Sequence, residues 1–239
     1  MQNILITGGN SGIGYATAAL AKARGYDVTI SGRNREAVAV AEEALGVTGI
    51  VADMQKTDDL LRLADAFAST GLNALVNNAA VAKFMPITAH TDEDYDVFFS
   101  TNIRGPLMLI QFLVPALAQR SGAITNISSA VTNNGLPNAS LYAATKGAMD
   151  GFSRSLAVEL APQGIRMNCV SPGAIDTPLI SKLGLSEEQI EAVRAHQKAT
   201  IPLGRFGTPE EVAHVILAQL EAKYVTGAVW HVDGGVDSI

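Results

Sequence analysis

The sequence predicts an α/β protein in which a doubly wound, seven-stranded, mostly parallel sheet carries helices on both faces. Three observations support this. Short apolar runs alternate with longer helical patterns, the rhythm of right-handed β–α–β crossovers that set neighbouring strands parallel. A glycine-rich turn follows the first apolar run and opens a helix. Polar, small-residue exits recur after successive apolar runs, and such a fold gathers those exits at one edge of its sheet.

Composition narrows the class. At 239 residues with 48% hydrophobic side chains, the chain can bury one large core, so one domain over 1–239 is expected. A formal charge of −6 and 17 scattered Lys and Arg argue against a nucleic-acid partner, which needs a concentrated basic face. Cys169 is the single cysteine, so no internal disulfide is possible, and its apolar setting reads as core. No metal ligand set is expected. The first apolar run stops at glycine too soon for a signal peptide or a membrane span, which points to a cytoplasmic protein with no membrane partner.

Gln2 to Ile6 reads as the first strand, and Thr7-Gly8-Gly9-Asn10-Ser11-Gly12-Ile13-Gly14 follows it into a helix ending near Arg24. Gly8, Gly12 and Gly14 let the backbone approach a pyrophosphate, whose charge suits the free N–H groups of a helix start. Tyr26 to Ser31 is the second strand, and Ser31-Gly32-Arg33-Asn34-Arg35 ends it with two guanidinium groups where an NAD site would carry an acid. That composition suits a 2′-phosphate, so NADP(H) is favoured, with NAD(H) use still open. The alternative is that both arginines are solvated residues starting a helix from Glu36 to Leu45. Val47 to Val51 is a strand, and Asp53 beyond it either accepts from an adenine amino group or caps the helix from Thr57.

Leu72 to Val76 is a strand running into Asn77-Asn78-Ala79-Ala80, and Thr91 to Ala118 is a long helical pattern with Asn102 inside and Pro106 bending or restarting it. Ala123 to Ile127 ends in Ser128-Ser129, and the loop 131–140 feeds a helix to about Ala161. Ile165 to Val170 leads through Ser171-Pro172-Gly173-Ala174-Ile175-Asp176-Thr177 into a long irregular segment with a helix near 186–198, the kind of insertion that covers active sites. Thr208-Pro209-Glu210-Glu211 is a helix start, and Ala228 to Val232 is the last strand.

Tyr142 and Lys146 stand four residues apart in the first turns of their helix, which places phenol and ammonium on one face. An ammonium beside a phenol favours the phenolate, so the pair reads as a general acid/base with a lowered Tyr pKa. A half-buried Tyr beside a solvated Lys is the bland alternative.

Together these residues resemble the short-chain dehydrogenase/reductase family, over essentially the whole chain. The resemblance rests on the glycine motif from Thr7 to Gly14, on Asn77 to Ala79, on Asn102, on Ser129 thirteen residues before Tyr142, on Lys146 four after it, and on Pro172-Gly173 with Thr177. It implies a Rossmann fold and the tetrad Asn102, Ser129, Tyr142 and Lys146. Ser129 would hold a carbonyl oxygen, Tyr142 would supply the proton, and Lys146 would bind the nicotinamide ribose, with Asn102 fixing a water. It implies cofactor contacts from Gly8, Asn10, Ser11, Gly12, Ile13 and Gly14. Further contacts would come from Arg33, Asn34, Asp53 and Met54, and from Asn78 and Ala79. Pro172, Gly173, Ile175 and Thr177 would meet the nicotinamide, together with Tyr142 and Lys146. A homotetramer or homodimer and a lid at about 172–206 are also implied. The family usually has glycine where this chain has Ala80, and the stretch Leu217 to Tyr224 is shorter than usual.

The implied activity is interconversion of a ketone and a secondary alcohol with NADP(H). A 3-oxoacyl-[acyl-carrier-protein] reductase-like enzyme and a non-catalytic NADP(H)-sensing module are the alternatives. The family's carrier-protein reductases dock an acidic carrier on basic residues near the cleft mouth. This chain has Ala123 and Gln163 at the corresponding positions, with Arg120 and Arg166 nearby. The lining expected from 130–141 and 179–185 is small, apolar or amide-bearing, with Arg194 and Arg205 as the nearest carboxylate clamps, so a modest, mostly apolar carbonyl substrate is favoured.

Overall fold

The computed structural model describes residues 2–178 and 186–238. Its strands are β1 (Asn3–Thr7), β2 (Asp27–Gly32), β3 (Thr48–Val51), β4 (Ala74–Asn77), β5 (Ala123–Ile127), β6 (Arg166–Pro172) and β7 (Val229–Val232). They form one sheet in the order β3-β2-β1-β4-β5-β6-β7, and every pairing is parallel, so "mostly parallel" becomes wholly parallel among the described residues. The chain winds outward from β1 in one direction and from β4 in the other, which opens a crevice at the carboxyl ends of β1 and β4.

Strand alternation sorts the core into two layers. Ile4 and Ile6 of β1, with Val76 and Val170, face one side, where α1 (Gly12–Ala23) packs on α8 (Pro209–Glu221). Leu5, Leu75, Ile124 and Met167 face the other, under α3 (Thr57–Asp65), α5 (Gly105–Ala118) and α6 (Ser140–Leu160). All eight of these residues are completely buried, which is why the strands read as continuous apolar runs.

The long helical pattern is three pieces. Helix α4 (Asp92–Phe99) starts in a capping box between Thr91 and Asp94, a π turn occupies Ser100–Arg104, and α5 follows with Pro106 in its first turn. Pro106 has no N–H to offer the Asn102 carbonyl four residues before it, and the wider turn absorbs that mismatch. Among the described residues this run, Asp92–Ala118, is the one helix long and apolar enough to cross a membrane by composition. Here Leu109, Ile110, Leu113 and Leu117 are buried against the sheet. Helix α2 (Arg35–Leu45) is capped by Asn34, whose side chain accepts from Ala37 N–H. Helix α8 begins in the expected cap, Thr208 and Glu211 bonding reciprocally, and it ends at Glu221, leaving a short connection with a fully exposed Tyr224 before β7.

Helix α7 (Glu187–Thr200) lies within the segment expected to form a lid. The base of that segment is pinned by a one-residue parallel bridge between Ile175 and Gly207, and Asp176 pairs with Arg194 of α7 at 2.9 Å.

Candidate active site

At the crevice, β1 ends in buried Thr7, whose hydroxyl accepts the N–H groups of Asn78 at 3.0 Å and Ala79 at 3.1 Å. Asn78 Nδ2 answers by donating to the carbonyls of Thr7 and Gly8 at 3.0 and 3.1 Å. These four bonds staple the glycine loop to the exit of β4. Gly12 holds φ at +53°, and a Cβ on Gly14 would stand 2.3 Å from the Gly8 carbonyl oxygen, so a side chain at Gly14 would push the loop off its helix. Ser11 precedes α1 in an extended conformation without capping it, which leaves the first N–H groups of the helix without a side-chain cap.

From this loop a cleft of about 470 Å³ runs along the carboxyl edge. Gly8, Asn10, Ser11, Gly12 and Ile13 line it from the loop, Arg33 and Asn34 from the end of β2, Asp53 and Met54 from beyond β3. Asn78, Ala79 and Thr177 complete the set that the sequence brings together. Ala80 also lines it and is not among the residues with positive φ, so its methyl is accommodated without backbone strain.

Several expected contacts lie elsewhere. Gly14 is buried behind the loop and acts through packing. Pro172 closes β6, a Cβ on Gly173 would meet the Asp233 backbone at 2.7 Å, and Ile175 is buried in its bridge, so these three underlie the cleft and do not line it. Arg35 opens α2 and is exposed outside the cleft, which leaves Arg33 as the guanidinium on its wall. Asp53 does not cap α3. Lys56 holds the cap position, while Asp53 Oδ1 accepts from Gln55 N–H at 3.0 Å in a local turn.

Beyond the carboxyl end of β5, α6 buries Tyr142 and Lys146 together, 9% and 2% exposed, and neither of these two expected cofactor contacts lines the cleft. Lys146 Nζ stands 5.7 Å from the centroid of the Tyr142 ring and donates at 2.5 Å to the carbonyl of Ile127, the last residue of β5. Ser129, two residues on, lies near enough to the phenol to lower its pKa, and its hydroxyl accepts Val131 N–H at 3.3 Å. Asn102 is completely buried: Oδ1 accepts Val81 N–H at 2.9 Å, while Nδ2 donates to the Val81 carbonyl at 2.9 Å and to Thr145 Oγ1 at 3.1 Å. Thr145 in turn donates to the Tyr142 carbonyl at 2.8 Å, so Asn102 ties the β4 exit to the turn of helix bearing Tyr142. Thr145 and Val81 were not singled out in the sequence, although Thr145 lies inside the Tyr-x-x-x-Lys span on its buried face.

The electrostatics reverse one expectation. Burial pushes the Tyr142 phenol up to about 12, with the Ser129 hydrogen bond pulling it down less strongly. Burial also brings Lys146 down to about 8, against the opposing pull of Cys169 and Asp150. Removing both groups from water penalises phenolate and ammonium alike, and that outweighs the attraction expected of an exposed pair. Cys169 is a buried thiol pushed up to about 12, in keeping with a core role.

Beside Tyr142 the walls are apolar. Phe84 lies 6.1 Å away, ring centre to ring centre, and packs with Val81 and Val131 around Leu141 and Tyr142. Arg194 and Arg205 are committed to Asp176 and Glu211, so neither stands ready as a carboxylate clamp. The expected lining at 179–185 lies outside the described residues. Ala123 and Arg166 begin β5 and β6, which places them at the amino edge of the sheet, opposite the cleft. Arg120 joins them there, bonded to the Thr70 carbonyl, while Arg166 bonds the carbonyls of Leu220 and Ala222. The expectation that these positions border the cleft mouth is therefore corrected by strand polarity.

The family model described as "Enoyl-(Acyl carrier protein) reductase" matches residues 8–237. The chain is 37% identical to the 3-oxoacyl-[acyl-carrier-protein] reductase FabG of Thermotoga maritima, over 97% of this chain and 96% of that protein. It is 35% identical to carbonyl reductase family member 4 of Danio rerio, with the same coverage. Among solved structures it superposes on a protein titled as a member of the short-chain dehydrogenase/reductase family, with a TM-score of 0.90 and 33% identity over 100% of this chain and 98% of that one. A variant of actinorhodin polyketide ketoreductase solved with NADPH gives a TM-score of 0.91 at 28% identity, with the same coverage.

Proposed function

The chain belongs to the short-chain dehydrogenase/reductase family, and from that premise we propose that it is an NADP(H)-dependent oxidoreductase interconverting a ketone and a secondary alcohol. The observation that carries the reading is the convergence of Tyr142, Ser129 and Lys146 beside an apolar wall at the carboxyl end of β5, on the sheet edge that also carries the cleft and the N-terminus of α1. A non-catalytic sensor of the same dinucleotide would have no use for that convergence.

The cleft fits a dinucleotide on chemical grounds. The uncapped start of α1 suits a pyrophosphate, Asp53 offers a carboxylate beyond β3, and Arg33 on the cleft wall would supply the positive charge that a 2′-phosphate needs. When bound, the nicotinamide supplies or accepts the hydride. In reduction, the Ser129 hydroxyl holds the carbonyl oxygen and the Tyr142 phenol, kept protonated by burial, gives that oxygen its proton. Lys146 stands under the phenol to stabilise the phenolate left behind. In oxidation the same groups run in reverse. Asn102 fixes the backbone at Val81 and, through Thr145, the turn that carries Tyr142.

The Phe84, Val81 and Val131 wall favours a modest apolar carbonyl compound. A second reading, an oxoacyl thioester, is favoured by relatives named 3-oxoacyl-[acyl-carrier-protein] reductase. We further propose a homotetramer or homodimer in the cytoplasm. The outer face of α6 presents small residues, Ala144, Gly147, Ala148 and Gly151, beside Val158, and Phe99 of α4 is partly exposed. The deciding experiment follows NADPH and NADH consumption against simple ketones, cyclic ketones, keto esters and an oxoacyl thioester. Preferential NADPH turnover with one class establishes the reading and chooses between the two substrates. Tight NADPH binding with turnover of none moves the assignment to the sensor.

A further inference from the structure

The C-terminal turn, Val236–Ser238, does not line the cleft, yet its Asp237 carboxylate is 8% exposed and fully engaged. Asn133 Nδ2 donates to Oδ2 at 2.8 Å, Asn134 Nδ2 donates to Oδ1, and His231 Nδ1 of β7 lies 2.6 Å from Oδ2. The Asp237 N–H donates to Asp233 Oδ2 at 2.8 Å, and Asp233 Oδ1 accepts from Gly235 N–H at 2.9 Å. His231, Asp233 and Asp237 are near enough to one another for a cation, but all four carboxylate oxygens already accept hydrogen bonds within the chain. The cluster is a fastening.

What it fastens is the loop that begins at Ser129. Ser129 starts a single 3-10 turn, Ala130–Thr132, and Asn133 ends it. That turn is tight: Ser129 Oγ takes Val131 N–H, the Ser129 carbonyl takes the Thr132 hydroxyl at 3.0 Å, and the Ala130 carbonyl takes the N–H groups of Asn133 and Asn134 at 3.1 Å. One rigid turn therefore separates the Ser129 hydroxyl from the Asp237 carboxylate. The same C-terminal stretch holds the return of the segment after α7, since Leu203 N–H donates to the Gly234 carbonyl at 3.1 Å.

We propose that Asp237 is a positioning residue for the carbonyl reaction. It clasps Asn133 and Asn134 to the edge strand β7 and so fixes where the Ser129 hydroxyl points, without touching substrate or cofactor. A carboxylate suits this task, because it accepts two amide donors and an imidazole at once, with the added strength of a charged acceptor.

This inference rests on the functional reading above, so its test has one readout that depends on turnover and one that does not. Asp237→Ala and the double variant Asn133→Ala/Asn134→Ala break the clasp from opposite sides; the second does so at the loop, away from the sheet. In both, kcat/KM for the preferred ketone should fall about ten- to a hundredfold, the scale on which small misplacements of reacting groups act. The NADPH dissociation constant should change by less than about twofold, which separates a positioning role from a general loss of structure. Hydrogen exchange at the amides of 131–134 should accelerate about tenfold while that of β1 is unchanged. Asp237→Asn, which keeps one acceptor oxygen, should recover part of both effects. Unaltered kcat/KM with unaltered exchange in both clasp-breaking variants overturns the proposal. If the wild type reduces no ketone, the functional reading fails separately, and the exchange data alone decide whether the clasp holds the loop.

Discussion

Around the glycine loop, most of the groups that shape the cleft stand within a few residues of a strand end, and Thr7 with Asn78 joins two of those ends directly. Around Tyr142 the groups arrive from distant parts of the chain: Phe84, Asn102, Ser129, Asn133 with Asn134, and finally His231 and Asp237. The first half is built from backbone geometry and helix ends, so its design is local. The second is built from side chains meeting across the fold, so a change at one place can act at another. A dinucleotide presents the same phosphates and rings to every protein that binds it, whereas a carbonyl substrate is shaped by whichever walls converge on it.

That contrast can be broken or sharpened by measurement. The largest effect is expected from Tyr142→Phe, which should lower turnover at least about a hundredfold while fluorescence titration finds NADPH affinity retained. Retained turnover would move the proton donor away from Tyr142. In the other half, Arg33→Ala should leave turnover with NADH intact and reduce the ratio of NADPH to NADH affinity by about ten- to a hundredfold, the equivalent of one charge-assisted contact. An unaltered ratio removes the phosphate role.

Titration tests the buried pair. Lys146 has a lowered pKa, so it carries its charge below about pH 8 and loses it above, while Tyr142 keeps its proton up to about pH 12. For ketone reduction, kcat/KM should therefore decline on the alkaline side from about pH 8, by at most about tenfold per pH unit. A profile flat to about pH 10, the unperturbed range of lysine, would show that burial does not set the Lys146 charge. The smallest effect belongs to Phe84→Ala, which should raise KM for an apolar ketone by about three- to tenfold with NADPH affinity unchanged. A matching loss in NADPH affinity would mean that the two halves are not separable at that wall.

The order of strands and helices was legible because each buried strand needs an unbroken apolar run and each crossover a helical one. Boundaries moved by a residue or two. Thr7 joined β1 in place of ending the run before it, and Pro172 closed β6, because ladder bonds to a neighbouring strand extend past the last apolar side chain. Within the site, Gly12, Arg33 and Asn78 were legible as cleft residues because their task is set by position after a strand. Asp53 was ambiguous because a carboxylate at a strand exit can cap, turn or bind, and only the placement of Lys56 at the head of α3 excluded the cap. Ala123, Arg120 and Arg166 were read at the wrong edge, since proximity in sequence to a strand does not say which of its ends a side chain leaves from.

The sequence by itself determined the sheet, the glycine loop and the spacing that puts Tyr142 and Lys146 on one helix face. These follow from local backbone rules and from the periods of strand and helix. Only the tertiary structure decided that both groups are dry, that the phenol is thereby raised and not lowered, and that Asp237 holds the loop carrying Ser129. Burial and long-range hydrogen bonds depend on what the rest of the chain brings alongside, and no count of residues between two positions contains that information.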